Sequence, residues 1–374
     1  LSRDAYALRR GIVDTGFRNP AGSVHSPGLQ TEGSPELVLE ADIGTEPDAE
    51  RAGEVEGTYR SGGQAPLYDD PPGALASVTA NGLRILVDGQ WPQRTRRAVA
   101  GALGIRPEQV QTEGILAEPS MEAKFWQSDL VAVWAALAAR ATGLPSVCLP
   151  DQLEAFRLFG GRAAAETRVV TAVSESGEPI HSTVNMVLRC GAVRTFGEHA
   201  ISRCRDMLAA GYRMGKIRLR ISVEKAAGLP AGMMTGGPEA ALAFAVETHI
   251  ARLAIVARSP ALAVRRNMHG SSLPAIQRDA VADSVLRLSD FERKWASREA
   301  LRRRGGITGS TWPRRGIGFA QGHRQVPATG DLGGTSNVLA RLVSASELHI
   351  RVGLQAASAA TRGWWQDVAA RALE

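Results

Sequence analysis

Glu54-Val55-Glu56-Gly57-Thr58-Tyr59-Arg60 alternates polar and apolar positions, which predicts a β-strand. Residues 82–87 read as a second strand, with Asn81-Gly82 as the turn before it. Trp91-Pro92 then opens a helix to about Leu103, with Pro92 in the first turn and Gly104 as the C-capping glycine. A short strand is predicted over 109–113 and a long helix over 128–142, stopping at Gly143. Its core, Leu130 to Ala139, is the longest apolar run in the chain. Residues 146–149 form an apolar, strand-sized run. Segments 166–174 and 179–190 predict a hairpin turning at Glu175-Ser176-Gly177-Glu178. A helix is predicted near 197–210, then a half-exposed strand over 216–223 with Ile217, Leu219 and Ile221 inward.

Gly236-Gly237-Pro238 leads into a helix to about Val256, followed by a short helix over 259–267. A charged helix is predicted over 282–304, with Leu286, Leu288, Phe291 and Trp295 as its buried stripe. Residues 305–337 read as a glycine-rich loop broken by a strand at Ile317-Gly318-Phe319. A strand over 347–352 and a helix over 361–373 complete the pattern. Residues 1–50 are polar and weakly periodic, an irregular arm or linker. The mixture predicts an α+β protein of layered α/β domains.

Length and composition narrow the class. At 374 residues the chain is long enough for two or three domains of ~100–200 residues each. With 44% hydrophobic and 22% charged residues it is neither collagenous nor wholly disordered. No segment reaches the ~18 consecutive apolar residues of a membrane span, so none is expected. The net charge of +6 is modest. Its clusters, Arg94/Arg96/Arg97, Arg302/Arg303/Arg304 and Arg314/Arg315, read as solvated faces. Without a basic stripe and interleaved aromatics, no nucleic-acid partner is expected. Cys148, Cys190 and Cys204 are too few for a disulfide framework, and no secretory leader is visible, so a cytoplasmic location is expected.

Five segments, in order and in register, carry a resemblance. They are Val55-Glu56-Gly57-Thr58-Tyr59-Arg60-Ser61-Gly62-Gly63-Gln64 with Tyr68 and Pro71; Gln90-Trp91-Pro92 running to Ala102-Leu103-Gly104; and Leu130-Val131-Ala132 to Thr142-Gly143. The fourth is Leu229-Pro230-Ala231-Gly232 with Gly236-Gly237-Pro238-Glu239, Glu247-Thr248-His249-Ile250 and Arg265-Arg266-Asn267. The last is Ser289-Asp290-Phe291-Glu292-Arg293 with Arg315-Gly316-Ile317-Gly318. Over roughly residues 50–374 the chain resembles the molybdopterin-binding large subunit of the xanthine dehydrogenase / aldehyde oxidoreductase family. The resemblance implies layered domains like the molybdopterin-binding domains of molybdenum hydroxylases. It divides the chain into an arm (1–50), a first such domain (51–305) and the start of a second (306–374).

It also implies an oxidoreductase that hydroxylates carbon on a heterocycle or aldehyde. A molybdenum–molybdopterin cofactor and a glutamate base would do the chemistry. The implied partners are another molybdopterin-type chain, iron–sulfur and flavin subunits, and a possible homo-oligomer. Three positions match cofactor contacts. Gln90 aligns with the glutamine at the apical ligand of molybdenum, or is simply a polar residue at the start of a helix. Gly236 and Gly237 precede a helix N-terminus that could hold an anion, or form a tight turn.

Elsewhere the pattern departs from the family. Phe-Gly-Gly-Lys-Glu is replaced by Met121-Glu122-Ala123-Lys124-Phe125, where Lys124 reads as a surface lysine. The arginine of Ala-Phe-Arg-Gly-Phe-Gly-Gly-Pro is missing from Gly232-Met233-Met234-Thr235-Gly236-Gly237-Pro238, and Met-Gly-Gln-Gly has become Ala357-Ser358-Ala359-Ala360. The family's glutamate base would belong to a portion beyond Glu374. The expected function is therefore a molybdenum hydroxylase-like large-subunit chain, not catalytic on its own, or a scaffold paralogue without cofactor. A decayed or diversified copy is the third reading. Cys190, His199 and Cys204 match no zinc spacing and read as structural, and Gly333-Gly334-Thr335-Ser336 reads as a surface turn.

Overall fold

The structure is a computed structural model. It describes residues 35–68, 70–89, 91–115, 124, 126–196, 198–231, 237–257, 259–269, 273–303, 317–319, 338–344 and 347–352, with positions 363, 366–368, 370 and 371. Two larger sheets and a two-stranded one, β10 (Val338–Ser344) with β11 (Glu347–Val352), organise these residues. The larger runs in the order β1 (Leu37–Ile43), β9 (Lys216–Glu224), β8 (Pro179–Arg189), β7 (Ala164–Val173), β2 (Gly53–Ser61). β7 and β8 form the expected hairpin, and β8 and β9 run parallel, joined by α4 (Glu198–Gly211). A parallel pair needs such a crossover.

Period-2 patterning decides which face is buried. Val184 lies opposite Leu219 and Met186 opposite Ile221, all fully or almost fully buried. Ile201, Cys204 and Leu208 of α4, and Leu242, Val246, Ile250 and Leu253 of α5 (Glu239–Val256), join the same core. The outer face carries cross-strand ion pairs instead: Arg168 to Glu56 at 2.7 Å, Arg60 to Glu166 at 2.6 Å, and Arg220 to Glu40.

The smaller sheet has the order β5 (Val110–Gly114), β4 (Gly82–Val87), β3 (Ala74–Thr79), β6 (Ser146–Cys148). α1 (Pro92–Leu103) links the parallel strands β4 and β5, and Gly104 closes it in the left-handed conformation (φ 64°), as expected. α2 (Trp126–Thr142) packs its apolar face on the sheet through Val131, Ala132, Ala135, Ala136 and Ala139. Its small alanines allow that close approach. α3 (Gln152–Leu158) follows, started by Asp151, whose side chain accepts from the Glu154 amide.

Several expectations need correction. Residues 37–43, assigned to an irregular arm, form β1, because Leu37, Leu39 and Ile43 pack on the larger core while Glu40 and Asp42 face out. The helix expected over 282–304 is two helices, α7 (Leu273–Ser289) and α8 (Phe291–Arg303), broken at Asp290 (φ 52°). Aspartate tolerates this left-handed conformation better than most residues. The break also splits the predicted stripe: Leu286 is buried, but Leu288 is 84% exposed. Ile317-Gly318-Phe319 is not a strand. α6 (Ala261–His269) and β11 (Glu347–Val352) match the prediction, while β3, α3 and β10 (Val338–Ser344) are elements that the sequence pattern does not predict. Among the described residues no single helix is long and apolar enough to cross a membrane.

Candidate functional site

Connections from both sheets meet around Asp88, Lys124 and Gly160. Lys124, expected on the surface, is only 1% exposed. Its ammonium donates to Asp88 Oδ2 at 2.5 Å and to Asp70 Oδ2 at 3.2 Å. Two carboxylates explain the correction: a lysine is buried where its charge is matched. Nothing in the spacing of Asp70, Asp88 and Lys124 announces the cluster, since 36 residues separate even the closer pair in space. Burial raises the Asp88 carboxyl above the usual carboxylate range; Lys124 pulls it down and Asp70 pushes it up again.

Behind this pair, Ser128 donates to the Asp88 carbonyl, which fixes the start of α2 against the end of β4. Asp129 accepts from Thr95 Oγ1 at 2.7 Å and pairs with Arg94 at 2.8 Å, tying α2 to α1. Its pKa is also raised, by burial first. Gln127 donates to the Gly160 carbonyl at 3.4 Å. Gly160 and Gly161 complete the join. A Cβ at Gly160 would strike the Pro230 carbonyl oxygen, and one at Gly161 would strike that of Gln64.

Of the three expected cofactor positions, Gln90 and Gly236 lie outside the described residues, as do 121–123, 125, 333–336 and 357–360. Gly237 is described: it is buried, with φ 40°, and stands before Pro238 at the start of α5. The next residue, Glu239, pairs with Arg203 at 2.6 Å. A carboxylate in that first turn already complements the positive end of the helix.

The buried polar residues of the larger sheet are arranged differently. Ser182 donates to the Met214 carbonyl at 2.9 Å, so its oxygen is left to accept from Thr171 at 3.0 Å. Thr171 in turn accepts from His249 Nε2 at 3.0 Å, and Tyr59 donates to His249 Nδ1 at 2.9 Å. The carbonyl at the end can only accept, so the chain runs one way and holds His249 as the neutral Nε2–H tautomer. Burial, and secondarily Arg252, lower its pKa to about 4. The pairing of Tyr59 with His249 is invisible in sequence, since 190 residues separate them. Cys190 and Cys204 are buried thiols, and among the described residues no His/Cys/Asp/Glu group could hold a metal ion.

The comparisons agree with this architecture. The molybdopterin cofactor-binding domain family matches residues 32–268, and the chain belongs to that family. Its fold is similar to that of the aldehyde oxidoreductase from Desulfovibrio gigas (20% identity, TM-score 0.55), covering 67% of this chain and 30% of that one. It is similar to quinoline 2-oxidoreductase from Pseudomonas putida 86 (17% identity, TM-score 0.56), covering 70% and 36%. It is also similar to CO dehydrogenase from Oligotropha carboxidovorans (13% identity, TM-score 0.58), covering 71% and 36%. The chain thus spans about a third of the length of these structures. No curated protein sequence matches it.

The family implies an anionic pterin cofactor, and the described residues do not fit one in direct contact. The charge of Lys124 is matched by Asp88 and Asp70, and that of Arg203 by Glu239. The close approaches at Gly160 and Gly161 are filled by this chain's own carbonyls. Asp88 Oδ1 and Trp126 Nε1 are buried without a hydrogen-bond partner, but one more acceptor and one neutral donor do not make an anion seat.

Proposed function

We propose that this chain is a large-subunit component of a molybdenum hydroxylase-type oxidoreductase assembly, and that it does not catalyse on its own. The reading is supported by family membership over residues 32–268 together with the fold of the two larger sheets. The Lys124–Asp88–Asp70 cluster supports the second part, because its lysine is already matched by two carboxylates. In this reading residues 51–305 form the first molybdopterin-binding-like domain and 306–374 begin the second. The cofactor is held chiefly by other segments of the assembly. Another molybdopterin-type chain and iron–sulfur and flavin subunits are its partners, by family resemblance. A cytoplasmic location is part of the reading and rests on three free cysteines, Cys148, Cys190 and Cys204.

The same cluster favours a second reading, a scaffold paralogue that holds no cofactor. Molybdenum and pterin analysis of the native assembly and of the purified chain separates the two. The first expects molybdenum in the assembly and little in the chain alone. Absence of molybdenum from both would overturn it in favour of the scaffold. Stoichiometric molybdopterin in the chain alone would overturn both.

A further inference from the structure

The end of the larger sheet away from Gly160 and Gly161 holds a cleft that the proposed function does not use. It has a volume of about 810 Å³ and is open on one side. That lies within the ~300–1,000 Å³ of small-molecule sites. Four connections build it: β1 to β2, the β7–β8 turn, α4 to β9, and α5 to α6. Its apolar lining includes Ile43, Ile180, Ile217, Val264 and Met268.

The walls are fixed from behind. In the β7–β8 turn Gly177 (φ 82°) lies so close to the end of α5 that a Cβ would stand 2.6 Å from Ala257 Cβ. The Arg213 amide donates to the Met268 carbonyl at 2.7 Å, joining the α4–β9 wall to α6. Tyr212 donates to Glu247 at 3.0 Å, and the buried Arg265 holds the same carboxylate at 2.5 Å. The cleft is therefore preformed, which lowers the cost of filling it.

Two opposite charges line it from different walls. Arg213 stands on the α4–β9 connection, beside Met268, and Glu178 on the β7–β8 turn. Among the described residues neither side chain makes an ion pair or a hydrogen bond. α5 ends at Val256 beside the Glu178 wall, and the negative end of a helix favours a cation there. A cleft lined by apolar side chains, one cation and one anion complements a ligand with an apolar body, a carboxylate and an ammonium. We propose that this cleft binds a short apolar peptide with free termini, its carboxylate at Arg213 and its amino group at Glu178.

Calorimetric titration of the full chain with trileucine, N-acetyl-trileucine and trileucine amide tests this. Trileucine is expected to bind saturably, and each blocked form about tenfold more weakly. Arg213→Ala is expected to weaken trileucine about tenfold but leave the amide unchanged. Glu178→Ala is expected to do the same for the free amine but not for the acetylated form. Both side chains are exposed, so folding is not at stake. Absence of saturable binding overturns the proposal, as does binding indifferent to both substitutions and both blocking groups.

Discussion

In the larger sheet Tyr59, His249, Thr171 and Ser182 form one neutral, directed chain that ends on the Met214 carbonyl. Beside the smaller sheet the cluster is charged, with Lys124 between Asp88 and Asp70, and one oxygen and one indole N–H nearby lack partners. A neutral chain with every link matched rigidifies a core at little cost. A buried ion pair carries a desolvation penalty that its attraction only partly offsets, so it is retained where it does something besides stabilise. The charged cluster lies among the loops that the family resemblance assigns to cofactor contact; the neutral chain lies inside the frame.

The largest effect is expected from breaking the charged region. Lys124→Met leaves the Asp88 carboxylate buried without its cation and is expected to cost about 3–5 kcal/mol in urea denaturation. Adding Asp88→Asn should recover much of that loss. A cost below about 1 kcal/mol for Lys124→Met would mean that the lysine behaves as a solvated side chain, and the contrast would fail.

The neutral region is expected to respond to pH. His249 takes up a proton near 6.5 in the unfolded chain but only near 4 in the folded one. As pH falls from about 6.5 to 4 the unfolded state gains a proton that the folded state lacks, so stability falls, by about 3 kcal/mol in all. Below that window both states are protonated and the loss stops growing. Asp88 and Asp129, raised by burial, act in the opposite direction. The readout is therefore the difference between wild type and His249→Gln in urea midpoints from pH 7 to 4. The variant should show the flatter profile, and equal slopes would remove His249 from the account.

The smallest effect belongs to the solvent face, which serves as the control. Arg220→Ala removes a cross-strand ion pair with Glu40 whose side chains are more than half exposed. Its thermal midpoint should stay close to wild type and lose its salt dependence, since exposed pairs are weak and screened. A shift as large as that of Lys124→Met would erase the distinction between buried and exposed charge.

Local chemistry explains which parts were legible. β2, β4, α1, α2 and the β7–β8 hairpin carry their own periodicity and their own stops at Gly104, Gly143 and Gly177, and they were read within a few residues. β1 was missed because its alternation lies among polar neighbours and is stabilised by pairing with β9, some 180 residues away. The break at Asp290 was missed because one left-handed aspartate is no sequence signal at all. Of the site, Gly237 stands before α5 as expected, while Lys124 is buried where a surface lysine is expected.

Sequence by itself determined the element types, the apolar faces of the sheets and the family, because periodicity, capping and segment order are local properties of the chain. Tertiary structure alone decided where charge is buried. Lys124 meets Asp88 and Asp70, and His249 meets Tyr59 and Thr171, only after strands and helices distant along the chain are packed. Whether a side chain keeps its charge depends on solvent exclusion and on partners at a few ångströms, and folding sets both.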